Sequence, residues 1–447
     1  ERKFDPADTK EILFYGLNND DYFDIDEQAS SKILIRIIGG KGNDTFNIRG
    51  NVKNYLYDLN TPENAILASS RSKIQTSDDP HVNDYSPINY KYNIFNFPRM
   101  LVSYNPDDKF LLGLGVLKRT FGFRQDPYAS EQKLNALYAF ASGAYRLKYQ
   151  GDFNHVMGTT DLVVNASLVN PVLDNFFGLG NETTIDKNKD RDFYRVRYKY
   201  LEGEVLLRKR FNPVFQVMAG PVINHYWDKY ENNADKILGQ PSLLGLDSSH
   251  VYALKTYLGG RITAIVNNLD NVLLPTRGIN WRTDIVALGG LNKASNFFAA
   301  YTSDMQVHAA LADPARLVTV VRLGGGRIFS KNYEYFQALS LGANNFLRGF
   351  RKDRFAGSSL LYGSVEFRYK LFESKSYVLP GAVGITAFEE LGRVWLEGEH
   401  SRTWHNSYGG GLYYAAYNFV LLSANIAYSK EDQLFNFSIG TRFNITF

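Results

Sequence analysis

From about residue 95 to the end, the chain repeats one pattern: an alternating apolar/polar segment, then a polar or Gly/Asn/Asp-rich break. In the closing stretch LFNFSIGTRFNITF, Phe435, Phe437, Ile439, Thr441, Phe443, Ile445 and Phe447 form one set. Asn436, Ser438, Gly440, Arg442, Asn444 and Thr446 form the other. A period of two puts each set on its own face of a β-strand. Tyr194, Val196, Tyr198 and Tyr200 alternate with Arg195, Arg197 and Lys199 in the same way. So do Ile279, Trp281, Thr283 and Ile285 with Asn280, Arg282 and Asp284. In LYGSVEFRYKL, Leu361, Val365, Phe367 and Tyr369 alternate with Ser364, Glu366, Arg368 and Lys370. Long helical periodicity is missing. NETTIDKNKDRD and YENNADKILGQPSLLGLDSSH read as long surface loops.

A soluble β-sandwich or propeller also alternates. Two features favour a membrane barrel instead. The polar face carries charges in successive alternate slots, as a solvated lumen permits. The other face is rich in aromatics, as lipid-interface girdles are. The totals agree: 30 Tyr, 31 Phe and 37 Gly suit strands joined by tight turns. A mean hydropathy of −0.29 does not exclude a barrel, because half of each strand faces a polar lumen. The pattern therefore predicts an all-β fold with a transmembrane antiparallel β-barrel over residues 95–447. A barrel also accounts for a regular C-terminal strand. In lipid no sheet edge is left unpaired, so the last strand is expected to pair with the first.

No apolar run reaches the ~18 residues of a transmembrane helix. Cys is absent, which excludes disulfides, thiolate metal sites and a cysteine nucleophile. A net charge of +4, from 50 basic and 46 acidic residues, gives no reason to expect nucleic acid. Residue 1 is Glu and no signal peptide is seen, so the chain reads as a mature or trimmed product.

LGANNFLRGFRKDRFAGSSLLYGSVEFRYKLF goes beyond pattern. It resembles the BamA/TamA superfamily of outer-membrane barrels, which includes two-partner secretion transporters and bacterial surface antigens. The matching core is Leu347, Arg348, Gly349 and Phe350, followed by a strand bearing Glu366. FEELGRVW, Phe388 to Trp395, is similar to the family's Phe-x-Asp-x-Gly strand, with Glu390 where Asp is usual. LDNVLLPTRGINW, Leu269 to Trp281, is similar to its Asp-Asn…Pro-Thr-x-Gly turn. The C-terminal strand with Phe443, Ile445 and Phe447 resembles the signal read by the outer-membrane assembly machinery.

The resemblance implies about 16 strands and the outer membrane of a Gram-negative bacterium. It implies membrane lipid and the assembly machinery as partners, with other outer-membrane or surface proteins as further candidates. It also implies that Leu347-Arg348-Gly349-Phe350 tips a long loop folded back into the lumen. Gly349 is expected to allow a tight turn there. A buried guanidinium favours a bidentate carboxylate, so Arg348 is expected to bond Glu390, Glu366 or both. Glu389 and Glu390 are adjacent, and only one can face inward.

Residues 1–60 read as a small Gly/Asp-rich β-module, and 61–94 as a linker or pre-barrel segment. GLNNDDYFDI, Gly16 to Ile25, aligns with GGKGNDTFNI, Gly39 to Ile48, at an offset of 23. Asp21 matches Asp44, Phe23 matches Phe46 and Ile25 matches Ile48. Each copy follows an apolar strand, so two strand–turn–strand units are expected to stack. The second copy also fits a Gly-Gly-x-Gly-x-Asp calcium repeat, with Asp21 and Asp44 as candidate ligands. A plain β-scaffold is the competing reading. No other metal site and no other cofactor is expected.

Family members that assemble or translocate proteins carry POTRA modules before the barrel, and residues 1–94 do not read as one. A β-module before such a barrel resembles the C-terminal half of long exported proteins of Bacteroidetes-type bacteria, in which a calcineurin-like metallophosphoesterase precedes the barrel. The metal-binding segments of that enzyme are not found in this chain, and GNETT at Gly180 lacks the His. No catalytic residue is assigned, so an enzyme domain, if the protein has one, lies upstream of Glu1. Three readings stay open: anchor or export barrel for such a domain, assembly or translocation factor, and passive pore.

Overall fold

The computed structural model describes residues 1–85, 91–105, 109–125, 127–343, 346–377, 379–417 and 420–441. It divides into two compact units, Glu1–Tyr92 and Asn93–Phe447.

The first unit is a parallel β-roll. Its strands are β1 (Glu11–Tyr15), β2 (Tyr22–Ile25), β3 (Ser30–Ile38), β4 (Thr45–Ile48), β5 (Asn51–Leu59), β6 (Ala65–Ser69) and β7 (Ser72–Ser77). Odd strands form one parallel sheet, β1-β3-β5-β7, and even strands the other, β2-β4-β6. The register between β2 and β4 pairs Phe23 with Phe46 and Ile25 with Ile48, the offset of 23 seen in the sequence. Stacking like on like buries Ile37, Phe46, Ile48 and Leu56, with Phe23 and Ile25 packed against them. The rings of Phe23 and Phe46 stack 5.4 Å apart.

The boundary expected at residue 60 is corrected. β6 pairs with β4 and β7 with β5, so residues 65–77 belong to the roll rather than to a linker. The third turn lacks the Gly signature because Asp58 and Asn64 take the places of Gly39 and Asp44. The register proves the equivalence. Gly16 N–H donates to Ile38 O and Gly39 N–H to Tyr57 O, each at 2.9 Å. Asp44 Oδ1 accepts from Asp21 N–H at 2.9 Å, and Asn64 Oδ1 accepts from Asp44 N–H at 2.8 Å.

The second unit is one 16-stranded antiparallel meander. Its first half comprises β8 (Ile94–Asn105), β9 (Lys109–Thr120), β10 (Ser130–Ala139), β11 (Tyr145–Met157), β12 (Thr160–Asn175), β13 (Arg195–Arg210), β14 (Phe215–Trp227) and β15 (Lys255–Asn267). Then come β16 (Gly278–Gly290), β17 (Phe298–Ala310) and β18 (Leu317–Ile328). Two short strands, β19 (Leu339–Leu341) and β20 (Phe355–Gly357), form a separate two-stranded sheet, with a bridge from Ala356 to Gly180. The meander resumes with β21 (Ser359–Ser374), β22 (Gly381–Trp395), β23 (His405–Ala416), β24 (Val420–Tyr428) and β25 (Gln433–Thr441).

Burial is inverted relative to a water-soluble sandwich. The apolar sets face out: Leu361, Val365, Phe367 and Tyr369 on β21 are exposed, as are Phe435, Phe437 and Ile439 on β25. Ionised side chains face in, with Asp161, Arg208 and Glu390 all buried. That arrangement suits a lipid-facing outer wall around a polar interior. The sheet is also curled. Strands β12 and β22 stand eight places apart in sheet order, roughly 40 Å if flat. Yet the connection after β12 bonds to the one after β22: Asn181 Nδ2 donates to Ser401 Oγ at 2.8 Å.

Among the described residues β8 and β25 are the two ends of this sheet. Phe443, Ile445 and Phe447 lie outside the described residues, and the expected closure seam falls there.

Candidate functional site

The site is the connection from β18 to β21, residues 329–358. Its tip is Leu347-Arg348-Gly349-Phe350. Leu347 and Phe350 are fully buried and anchor the tip in a cluster with Leu341, Phe355, Tyr362 and Val394. Phe346 has φ 81°, strained for a non-glycine. Its ring stacks on Tyr362 at 3.6 Å, and the Arg322 guanidinium lies over it at 4.0 Å.

The anchored tip delivers Arg348 to the polar faces of β21 and β22. Arg348 Nε donates to Glu390 Oε1 at 2.6 Å, and its backbone N–H donates to Glu390 Oε2 at 2.6 Å. A second side-chain nitrogen donates to Glu366 Oε2 at 2.7 Å. Glu366 Oε1 accepts from Arg368 at 2.6 Å. Two guanidinium groups thus meet two carboxylates, and no net charge is left in the site. The Phe388 ring lies 3.4 Å below the Arg348 guanidinium. The structure therefore brings Arg348, Glu366 and Glu390 together. It also fixes the parity of the acidic pair: Glu390 is buried and Glu389 exposed.

Three partners were not named from the sequence. Ser407 Oγ donates to Glu390 Oε2 at 2.7 Å. Asn436 Nδ2 donates to Arg348 O at 3.1 Å, tying the loop to β25. Asn436 belongs to the polar set of the last strand, so its inward direction was legible and its partner was not. Phe388 lies inside the FEELG segment, but its stacking role has no signature in the sequence.

The tight turn expected at Gly349 is present, with Phe350 N–H donating to Leu347 O at 3.0 Å, but it asks something else of its glycine. Gly349 does not adopt the left-handed conformation that favours glycine. Instead the loop backbone is pressed against β23 and β24. A Cβ at Gly349 would lie 2.6 Å from Tyr428 O and 2.8 Å from Ser407 Cβ. Glycine is needed in this turn for close approach rather than for a positive φ.

The stretches expected as surface loops also differ. Ile237, Leu238 and Val251 are buried with Phe176, Phe177, Tyr194 and Tyr335 in an aromatic core spanning several connections. The GNETT segment is a latch. Asn181, fully buried, donates its N–H to both Glu399 carboxylate oxygens at 2.8 Å. Its Oδ1 accepts from Val394 N–H at 3.1 Å. Arg354, 1% exposed, reaches Glu431 through two 2.8 Å bonds and Thr183 Oγ1 at 2.7 Å. The connections after β12, β18, β22 and β24 are thereby interlocked.

The turn between β15 and β16 follows the motif read from its sequence. Asp270 Oδ1 accepts from Thr276 N–H at 2.8 Å and Arg277 N–H at 3.1 Å. Gly278 has φ 114°, which a side chain would strain.

Residues 140–443 match the Omp85 superfamily domain. The chain belongs to the Omp85 superfamily. No curated protein matches it. Among solved structures it is similar to BamA from Haemophilus ducreyi lacking POTRA domains 1–3, at 14% identity and a TM-score of 0.56. That alignment covers 76% of this chain and 69% of the other. CdiB from Escherichia coli aligns at 13% identity and a TM-score of 0.48, over 77% of this chain and 67% of the other. A bacterial polysaccharide outer membrane secretin aligns at 9% identity and a TM-score of 0.35, over 75% and 92%. The likeness to BamA is one of fold. The Omp85 chain is thus an outer-membrane β-barrel of a Gram-negative bacterium, with the Arg348 network on the polar faces of β21 and β22.

Proposed function

We propose that this Omp85 barrel anchors a domain joined N-terminally to the roll, and carries it into or across the outer membrane. A metallophosphoesterase is the class favoured by the resemblance of a β-module followed by a surface-antigen barrel. The observation that carries this reading is the roll itself. A compact unit of stacked parallel strands, Glu1–Tyr92, directly precedes the barrel unit beginning at Asn93. The edges of β1 and β2 expose Phe14, Leu17 and Tyr22, a surface suited to an N-terminal neighbour.

The test is the mature polypeptide in purified outer membranes. Its intact mass and N-terminal peptides define what precedes Glu1. Hydrolysis of bis(p-nitrophenyl) phosphate by the purified protein, abolished by chelation, is the expected result. POTRA repeats upstream, with loss of outer-membrane proteins on depletion, would overturn the reading.

Assembly or translocation of other proteins is the second reading. The family-like loop motif around Arg348 favours it over a passive pore, which barrel size alone supports. The outer-membrane assembly machinery is the proposed partner during biogenesis.

A further inference from the structure

The first two turns of the roll each tuck an acid beneath a glycine, Asp21 beneath Gly16 and Asp44 beneath Gly39. The space under Gly39 is taken by two carboxylates. A Cβ there would lie 2.2 Å from Asp44 Oδ2 and 2.9 Å from Asp58 Oδ1. Asp44 is 0% exposed and Asp58 4%. Asp44 Oδ1 is used by Asp21 N–H, and Asp58 Oδ1 accepts from Leu59 N–H at 2.7 Å. The Oδ2 atom of each is buried without a hydrogen-bond partner, as is Asp21 Oδ2 one turn away. Buried charged oxygens facing one another are costly unless a cation or a proton compensates them. The charged groups acting on Asp44 are Asp21 and Asp20, and on Asp58 it is Asp44, all acidic.

We propose that the roll binds a divalent cation of the hard, oxygen-seeking class, Ca2+, between its second and third turns, with Asp44 and Asp58 as its anionic ligands. Gly39 O, on the first-turn side beneath Gly16, is a candidate carbonyl donor. Oxygen-only ligands select Ca2+ over softer ions. Among the described residues no group of three or more His, Cys, Asp or Glu forms a ready-made shell. Two carboxylates completed by carbonyls and water fit weak binding, of about 0.1–1 mM, the range of extracellular modules.

The experiment is calorimetric titration of CaCl2 into the chelator-treated full chain in detergent micelles, at pH 8. Asp44→Asn and Asp58→Asn are run alongside. Asn64 already fills the ladder position one turn on, so Asp44→Asn keeps the acceptor for Asp21 N–H. Expected are one site and at least about tenfold weaker binding in each variant. Wild-type protein releasing no binding heat up to about 10 mM Ca2+ would overturn the proposal. So would binding that neither variant changes.

Discussion

Glu390 holds Arg348 at two points, the backbone N–H and the side-chain Nε, each at 2.6 Å. A side-chain pair alone would fix an arginine. Bonding the amide as well fixes the chain path, so the carboxylate orients the loop and not merely its charge. The side chain of Glu390 is 4% exposed and that of Arg348 23%, a setting in which an unpaired partner is expensive.

Arg348→Ala leaves Glu390 buried with only Ser407 and one N–H as donors. It is expected to cost about 3 kcal/mol. A lower melting midpoint in micelles, followed by the mobility shift of unfolded barrel on gels, reads this out. Arg348→Lys is expected to rescue little, because one ammonium cannot reproduce the fork that reaches both Glu390 and Glu366.

The two acids are not equivalent. Glu390→Gln is expected to be worse than Glu366→Gln, because Glu390 alone also orients the backbone and Ser407. Comparison of the two variants by the same melt decides it.

Gly349→Ala drives a methyl group against Tyr428 O and Ser407. Overpacking of this kind costs about 1–3 kcal/mol. The loop tip is expected to lift, and limited proteolysis of intact protein within residues 329–358 should accelerate. Unchanged protease resistance would contradict the close approach.

Asn181→Ala removes a buried hub joining the connections after β12 and β22. A loss of about 2–3 kcal/mol is expected from the groups left unsatisfied. Hydrogen exchange should rise in residues 176–194 and 396–404 together, since each is the other's partner.

The metal-free roll has its own pH dependence. Asp58 binds its proton more tightly when folded than the ordinary value of 3.8, up to about 6. The folded state therefore takes up more protons between those values, and stability falls as pH rises through that window. Thermal melts of chelated protein from pH 4 to pH 7 are expected to show the roll weakening, with Ca2+ restoring it.

Much of this was legible in period two. Alternation gave the strands, and it put Glu366 and Asn436 on the polar face. The family-like Arg348 and Glu390 segments named the loop and its acids. The missing parts are of two kinds. Asn181 and Arg354 act across connections distant in sequence, and a single chain has no local pattern for a partner more than 70 residues away, as with Arg354 and Glu431. The third turn of the roll was missed because Asp58 and Asn64 keep the register while discarding the glycines that announce it.

A double-mutant cycle of Arg348→Ala and Glu390→Ala, read by unfolding free energy in micelles, tests most directly whether a paired charge holds the loop inside the Omp85 barrel. The account predicts strong non-additivity, with a coupling of about 2–3 kcal/mol. Single variants whose costs simply add to within about 0.5 kcal/mol would contradict it.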